Sequence, residues 1–392
     1  MLRKLKSLGV GIVNVACRSF QLWQDQRVNQ NSHRRAICTE TVATLQSTNH
    51  MNSPLDFPYA DLPKLGHTIP VADGVAWLRM PLPFALDHIN LWLLDDDDGY
   101  TAVDTGFASD AVKGAWEQIL GVDTQRQLKR SIVTHGHPDH LGLAWWLEEK
   151  YKAPMWMTQG DYTVAHLVNA QVGGYGVPAM LDFFKRHGLD DVRLAALDKR
   201  GNSYKTGVPK IPVAYRRIFD RQLIRVGKHN WRVIMGFGHA AEHASLYCDT
   251  LNVLIAGDML LPRISTNVGV NPVNPDDDPL QWFLDATAAY RHLPTDTLVL
   301  PSHGRPFRGI HERVDQLHAH HAERCALLIK VCATPKHAAE LIPVLFERDI
   351  GDAHQVMFAM GEAIAHLNHL MHTKRLRRLL DAADDVIRFV TI

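Results

Sequence analysis

The stretch His135-Gly136-His137-Pro138-Asp139-His140 places three histidines and one aspartate within six positions, directly after the apolar run Ile132-Val133. Crowding imidazoles and a carboxylate at the end of a buried segment costs free energy unless something pairs with them. A metal ion is the partner that fits. The "SIVT" before the cluster reads as a short buried strand, and the "HLGLAWWLEEKY" that follows reads as one amphipathic helix. The cluster therefore occupies the turn from a strand end into a helix, where a rigid scaffold presents side chains to solvent.

Three further strand ends carry residues of the same kind. They are His239 in "GFGHAAEH", Asp258 in "IAGDM" and His303 in "PSHG", each behind an apolar run and each next to a glycine. Neighbouring strand ends of one sandwich bring seven ligand-type residues to a single edge: His135, His137, Asp139, His140, His239, Asp258 and His303.

This arrangement, His-x-His-x-Asp-His followed by single His, Asp and His ligands, together with "AVDTG" at 102–106 before the first helix, resembles the metallo-β-lactamase superfamily of hydrolases. The resemblance covers about residues 67–310. More faintly, the tail resembles the winged-helix-like extension of a thioesterase- and nuclease-like branch. The implied fold is α+β, an αββα sandwich with a helical insertion and a small helical winged-helix-like C-terminal domain. The family pattern implies two metals. His135, His137 and His239 hold the first, Asp139, His140 and His303 the second, and Asp258 bridges them. Imidazole and carboxylate donors suit Zn²⁺, with Fe or Mn as other options. The implied chemistry is attack by a metal-bridged hydroxide on an acyl carbon, with Asp139 and Asp258 in catalytic positions. Asp104 is expected to orient a histidine ligand or to cap a turn, and His243 to pack beside the ligands without binding metal.

Family resemblance does not fix a substrate. Thioester hydrolysis, as in glyoxalase II-like enzymes, is the leading expectation, because a thiol with a pKa of roughly 8.5 leaves without a strong general acid. CoA and glutathione thioesters are the candidate partners. Lactone or β-lactam opening, a one-iron sulfur dioxygenase and a nuclease are the alternatives. For the nuclease, "TKRLRRLL" near the C-terminus, read as a basic helix, supplies a handle. The chain carries 42 basic and 42 acidic residues, so it shows no basic excess, and nucleic acid is disfavoured.

The rest of the chain is organised around these motifs. Residues 1–50 hold seven Lys/Arg against two acids and read as a mobile leader or a misassigned start, with Met51 as the alternative start. The catalytic domain is expected over 51–310. "INLWLL" and "YTAV" form a hairpin whose acidic tip, Asp95–Asp98, is expected to be solvated. A helical insertion at about 160–220 is expected to wall a substrate pocket with Tyr175, Phe183, Phe184 and Tyr215, and to be dispensable for metal binding. Over 311–392 a helical domain follows, with Thr334 capping a helix at Pro335. The histidines of "LHAHHAE" are expected on a solvated helix face. Five scattered cysteines form no disulfide framework, which fits a reducing, cytoplasmic compartment. No apolar run approaches the roughly 20 residues of a membrane span. A homodimer is allowed.

Overall fold

The computed structural model describes residues 55–392, apart from 347–349, 351 and 381–382. The expectations for residues 1–50 and for the start at Met51 lie outside the described residues.

Seven strands form one sheet in chain order: β1 (Ile69–Ala72), β2 (Val75–Pro81), β3 (His88–Asp96), β4 (Gly99–Val103), β5 (Gln127–Ile132), β6 (Met155–Met157) and β7 (Arg216–Arg217). The pairs are antiparallel as far as β4 and parallel beyond it. A second sheet contains β8 (Leu223–Val226), β9 (His229–Gly236), β10 (His243–Cys248), β11 (Val253–Gly257) and β12 (Leu298–Pro301), in the order β12-β11-β10-β9-β8.

Strand alternation explains why the sheets stack. In β3, Trp92 and Leu94 join Trp77, Trp231, Leu246 and Ile255 in the core between the sheets. Ile89, Leu91 and Leu93 point the other way, onto α1 (Asp110–Gly121) and neighbouring helices. A strand buried on both faces reads as the near-continuous apolar run seen in "INLWLL". Tyr247, Leu254 and Val299 on the outer face of the second sheet pack against α8 (Pro279–Ala288) and α9 (Ile310–Val331). These layers make the expected αββα sandwich. Burial of each large apolar side chain contributes about 1.5–3 kcal/mol.

The segment expected as one helix after the histidine cluster is two: α2 (Pro138–Leu141) and α3 (Ala144–Tyr151). The Thr105 hydroxyl causes the break by donating to the His140 carbonyl (2.7 Å) and accepting from Leu143 N (3.2 Å), which diverts both groups from a continuous helix. The acidic hairpin tip also differs from expectation. Asp97 and Asp98 are exposed, but Asp96 is buried against Arg130 (2.6 Å) and accepts from Thr101 Oγ1 and Gly227 N.

The insertion folds as α4 (Gln159–Asn169), α5 (Val177–Arg186), α6 (Asp191–Arg200) and α7 (Tyr204–Gly207). The C-terminal segment continues with α10 (Ala338–Phe346), α11 (Ala353–His372), and a hairpin of β13 (Leu376–Leu380) and β14 (Ile387–Thr391). Three expectations are corrected here. First, "TKRLRRLL" contains a strand rather than a basic helix. The chain turns at Thr373–Lys374, and pairing with β14 decides its conformation. Second, α10 starts at Ala338 rather than Pro335, because Lys336 is held extended by a bridge to Phe389. Third, His321 is not solvated: it is buried, with Nδ1 3.1 Å from His366 Nε2.

The stripe Val356, Met360, Ala363, Ile364, Leu367 and Leu370 on α11 is buried as expected. So is Glu362 on the same helix. Burial raises its carboxyl to about 7, against the opposing effects of the Asn267 hydrogen bond and Arg324. From pH ~4.5 up to about 7 the unfolded chain ionises this group before the folded chain does. Its contribution to stability is therefore full below that window and lost as pH rises through it. Glu362→Gln, which can still accept from Asn267, is expected to raise the unfolding free energy by ~1–3 kcal/mol at pH 8. That gain should shrink severalfold by pH 5 in denaturant titrations. Equal gains at both pH values would show that Glu362 is not the titrating group.

Candidate metal centre

The strand ends deliver their ligands as the sequence spacing suggests. His135 and His137 lie in the turn after β5, Asp139 and His140 on α2, His239 after β9, Asp258 after β11 and His303 after β12. Their donor atoms fall into two groups, His135/His137/His239/Asp258 and Asp139/His140/His303, with the donors of each group within 4.8 Å of one another. Asp258 joins the groups. Its Oδ2 is 3.4 Å from His239 Nε2, and its Oδ1 is 3.5 Å from both His140 Nε2 and His303 Nε2. Asp139 Oδ2 lies 3.5 Å from His303 Nε2 and 3.7 Å from His140 Nε2.

Hydrogen bonds on the far side of each ring decide which nitrogen faces inward. His140 Nδ1 is 2.8 Å from Asp104 Oδ2, His239 Nδ1 2.7 Å from the Asn267 carbonyl and His303 Nδ1 2.8 Å from the His88 carbonyl. Each of these Nδ1 atoms must donate, which leaves Nε2 as the nitrogen aimed at the site, free to bind a metal once any proton on it is displaced. The Thr134 hydroxyl donates to Asp104 and accepts from His135 Nδ1 (3.1 Å), with the same result for His135. His135 Nε2 and His239 Nε2 then face each other as bare nitrogens 3.2 Å apart, with His137 Nδ1 2.9 Å from His135 Nε2. Such pairs repel unless a cation lies between them. His140 Nε2 and Asp258 Oδ1 are also buried without a hydrogen-bond partner. The donor set fits divalent metal ions of the kind that imidazole and carboxylate bind.

The electrostatics agree. Burial, reinforced by neighbouring imidazoles, holds His135 and His137 well below the usual histidine range. Burial also opposes charge on His140 and Asp258. Even so, the carboxylates of Asp104, Asp139 and Asp258 keep His140 raised, and His303 and His140 keep Asp258 well below the usual range. The site is thus a balanced set of cationic rings and carboxylates, in which a metal ion can take the place of ring protons.

Asp104 is the carboxylate against His140 Nδ1. It adopts φ +63° and accepts from Thr134 N (2.7 Å) as well as from His140. His243 packs beside His135, with ring centroids 4.9 Å apart, and its Nε2 accepts from Asp258 N at 3.2 Å. A Cβ at Gly257 (φ +55°) would lie 2.3 Å from that Nε2, so glycine is required where the strand turns toward Asp258.

Two of the four expected pocket residues fall elsewhere. Phe183 and Phe184 are buried in the core shared with α10 and α11, so they fill that core rather than wall a pocket. Tyr215 stacks on Tyr162 at 3.9 Å within the insertion, and Tyr175 lies in the single turn Gly173–Tyr175. The insertion also contacts the turn that carries the cluster. Tyr204 Oη donates to the Gly136 carbonyl (2.6 Å), and Asp161 accepts from Gly136 N (2.8 Å) and Glu242 N (2.6 Å). Sequence reasoning missed these two residues, and also Asn90. Buried beneath the site, Asn90 takes the Trp77 indole N–H and donates to the carbonyls of Pro301 and Gly304 on either side of His303. The available signal was a lone amide inside the apolar run "INLWLL".

Comparison with known proteins agrees with this geometry. The family model of the metallo-beta-lactamase superfamily matches residues 85–303, and that of the metallo-beta-lactamase-like C-terminal domain matches residues 325–392. The chain therefore belongs to the metallo-β-lactamase superfamily. It is 45% identical to a beta-lactamase domain protein from Burkholderia ambifaria, with a TM-score of 0.80 over 86% of this chain and 98% of that one. With a metallo-beta-lactamase family protein from Thermus thermophilus it shares 27% identity and a TM-score of 0.68, over 81% of this chain and 99% of that one. The probable metallo-hydrolase YqjP of Bacillus subtilis is 22% identical, over 76% of this chain and 92% of that protein. Among the described residues, no helix is long and apolar enough to cross a membrane.

Removing a carboxylate that orients a metal-binding imidazole typically costs 10–100-fold in metal affinity. Asp104→Asn tolerates the positive φ but loses the charge on His140. It is expected to weaken metal binding by about that factor in chelator competition. Unchanged affinity would mean that His140 does not depend on Asp104.

Proposed function

We propose that the protein is a dinuclear zinc hydrolase that cleaves a thioester or a related acyl bond. The observation that carries this reading is Asp258, whose two oxygens face the two donor groups separately. Two ions held there would supply Lewis acidity toward a carbonyl oxygen and a water that loses its proton near neutral pH.

The chain's own residues do the rest. Asp139 is the most solvent-accessible of the carboxylates at the site, with its side chain 18% exposed. It approaches His303 and His140 through Oδ2, which leaves Oδ1 to orient the attacking water and receive its proton. Asn90, through Gly304 and Pro301, and Asp104, through His140, keep the rings from swinging as charge develops. A thiolate departs without a protonating side chain, so this site needs no separate acid for a thioester.

Elemental analysis of purified protein is expected to find close to two zinc ions per chain. Hydrolysis should then appear in a screen of thioesters, lactones and β-lactams, with thioesters turned over fastest. Asp258→Ala and His137→Ala are expected to reduce turnover to background. One iron per chain, or full activity in either variant at verified metal content, would overturn the assignment.

A further inference from the structure

Helix α11 lies across the metal edge of the sandwich. On one side its Gly361 carbonyl accepts from Val270 N (3.1 Å). Nearby, the Asn267 amide reaches Glu362 (3.1 Å), while the Asn267 carbonyl holds His239. On the other side His354, in the first turn of α11, stacks on Phe84 with centroids 4.8 Å apart and planes at 17°. Phe84 meets Phe107 edge-on at 5.6 Å. Phe84 precedes His88, whose carbonyl holds His303, and Phe107 follows Asp104, which holds His140. One helix thus touches the supports of ligands from both metal groups, and the charge of Asp139 reaches His354.

This rim has a distinct chemistry. Phe84 and Phe358 are 38% and 37% exposed, and Phe358 packs edge-on against His354 at 4.9 Å. Arg200, the last residue of α6, is half-buried and places Nη2 2.5 Å from His354 Nδ1. A guanidinium can only donate. His354 Nδ1 therefore accepts, the ring is neutral, and its proton sits on Nε2 as a further donor. Among the described residues no carboxylate stands within ion-pair distance of Arg200, and Asp352 acts on it only through space. A half-buried guanidinium with no carboxylate partner among the described residues, next to exposed aromatic faces, suits a planar oxyanion on an otherwise apolar molecule.

We propose that Arg200 and His354 form an anion-binding subsite at the rim of the metal centre, selecting acyl substrates that carry a carboxylate or phosphate group, with Phe84 and Phe358 packing against the apolar part. This substrate selection rests on the acyl-hydrolase reading above; the anion site itself does not.

The test uses the full metal-loaded chain and three probes in calorimetric titrations: hexanoate, hexyl phosphate and the neutral hexanol. Arg200→Met is expected to weaken binding of the preferred anion about tenfold or more and to leave hexanol unchanged. Arg200→Lys should fall between. His354→Leu, which removes the acceptor for Arg200 and the Nε2 donor, should also weaken anion binding severalfold, and His354→Gln, which keeps one acceptor and one donor, should recover most of that loss. The stronger of the two anions identifies the group selected. Equal anion binding in wild type and Arg200→Met would overturn the subsite, because the anions would then be held by the metals alone.

Kinetics provide the second readout. For hexanoyl thioesters of CoA and glutathione, Arg200→Met should raise KM about tenfold and change kcat by less than about twofold. KM for the neutral N-acetylcysteamine thioester should not move. A parallel rise in KM for all three would overturn the proposal. If wild type hydrolyses none of the three while anion binding still depends on Arg200, the subsite stands and the thioester reading falls. Melting curves of each variant separate these outcomes from misfolding, and Arg200→Lys covers a failure of Arg200→Met to fold.

Discussion

The metal edge depends on one buried carboxylate. Asp104 is 1% exposed and accepts from Thr134 N, Thr134 Oγ1 and His140 Nδ1. A charge buried this deeply is tolerated only when its lone pairs are taken. Here the groups that take them are the ones that must be aimed. Thr134, fixed by Asp104, turns His135, and His140 is turned by Asp104 directly. Parallel pairing of β4 with β5 puts Asp104 beside the turn that carries the cluster. Sheet register thereby becomes ring orientation, and ring orientation leaves the nitrogen lone pairs facing inward.

How much of this was legible in the sequence depends on how local each interaction is. The ligand set was legible because each ligand follows an apolar strand and the first four are nearly contiguous. The supports were not. Asn90 holds carbonyls more than 200 positions away in the chain (|i−j| = 211 and 214), and Tyr204 reaches back to Gly136. A single Asn, Asp or Tyr carries no spacing signature of such a contact. Asp96 makes the same point. It stands in a run of four acids that looks solvated, yet it is buried because Arg130 from β5 and Gly227 from the turn between β8 and β9 converge on it.

Secondary structure failed where tertiary partners outweighed local propensity. The arginines and leucines of "TKRLRRLL" favour helix on their own. With Leu376 buried and Arg377 and Arg378 exposed, the segment instead pairs with β14, and Arg378 meets Asp276 at 2.5 Å. The long helix expected at 140–151 broke because a neighbouring threonine offered its hydroxyl to the backbone. Both outcomes follow from a partner that the local sequence does not contain.

The expected C-terminal domain is the part whose meaning changes most. Its helix α11 shows an apolar stripe, as a helix packed on one side would. In the structure Glu362, His366 and Asn368 are buried as well, so the helix is enclosed on more than one side. Two glycines meet at the contact: a Cβ on Gly361 would lie 3.4 Å from Gly269 Cα, an ordinary van der Waals distance, so the two backbones pack directly against each other. The Gly361 carbonyl bonds to the 267–270 segment, which also holds His239. A helix seated this closely is part of the wall of the metal centre. The strand ends then carry the chemistry, held by parallel pairing and buried carboxylates. The helical layer carries the rim, where Arg200 from the insertion meets His354 from the tail. On the proposed reading, ligand geometry and substrate selection reside in different segments of the chain, joined through Asn267 on one side and Phe84 on the other.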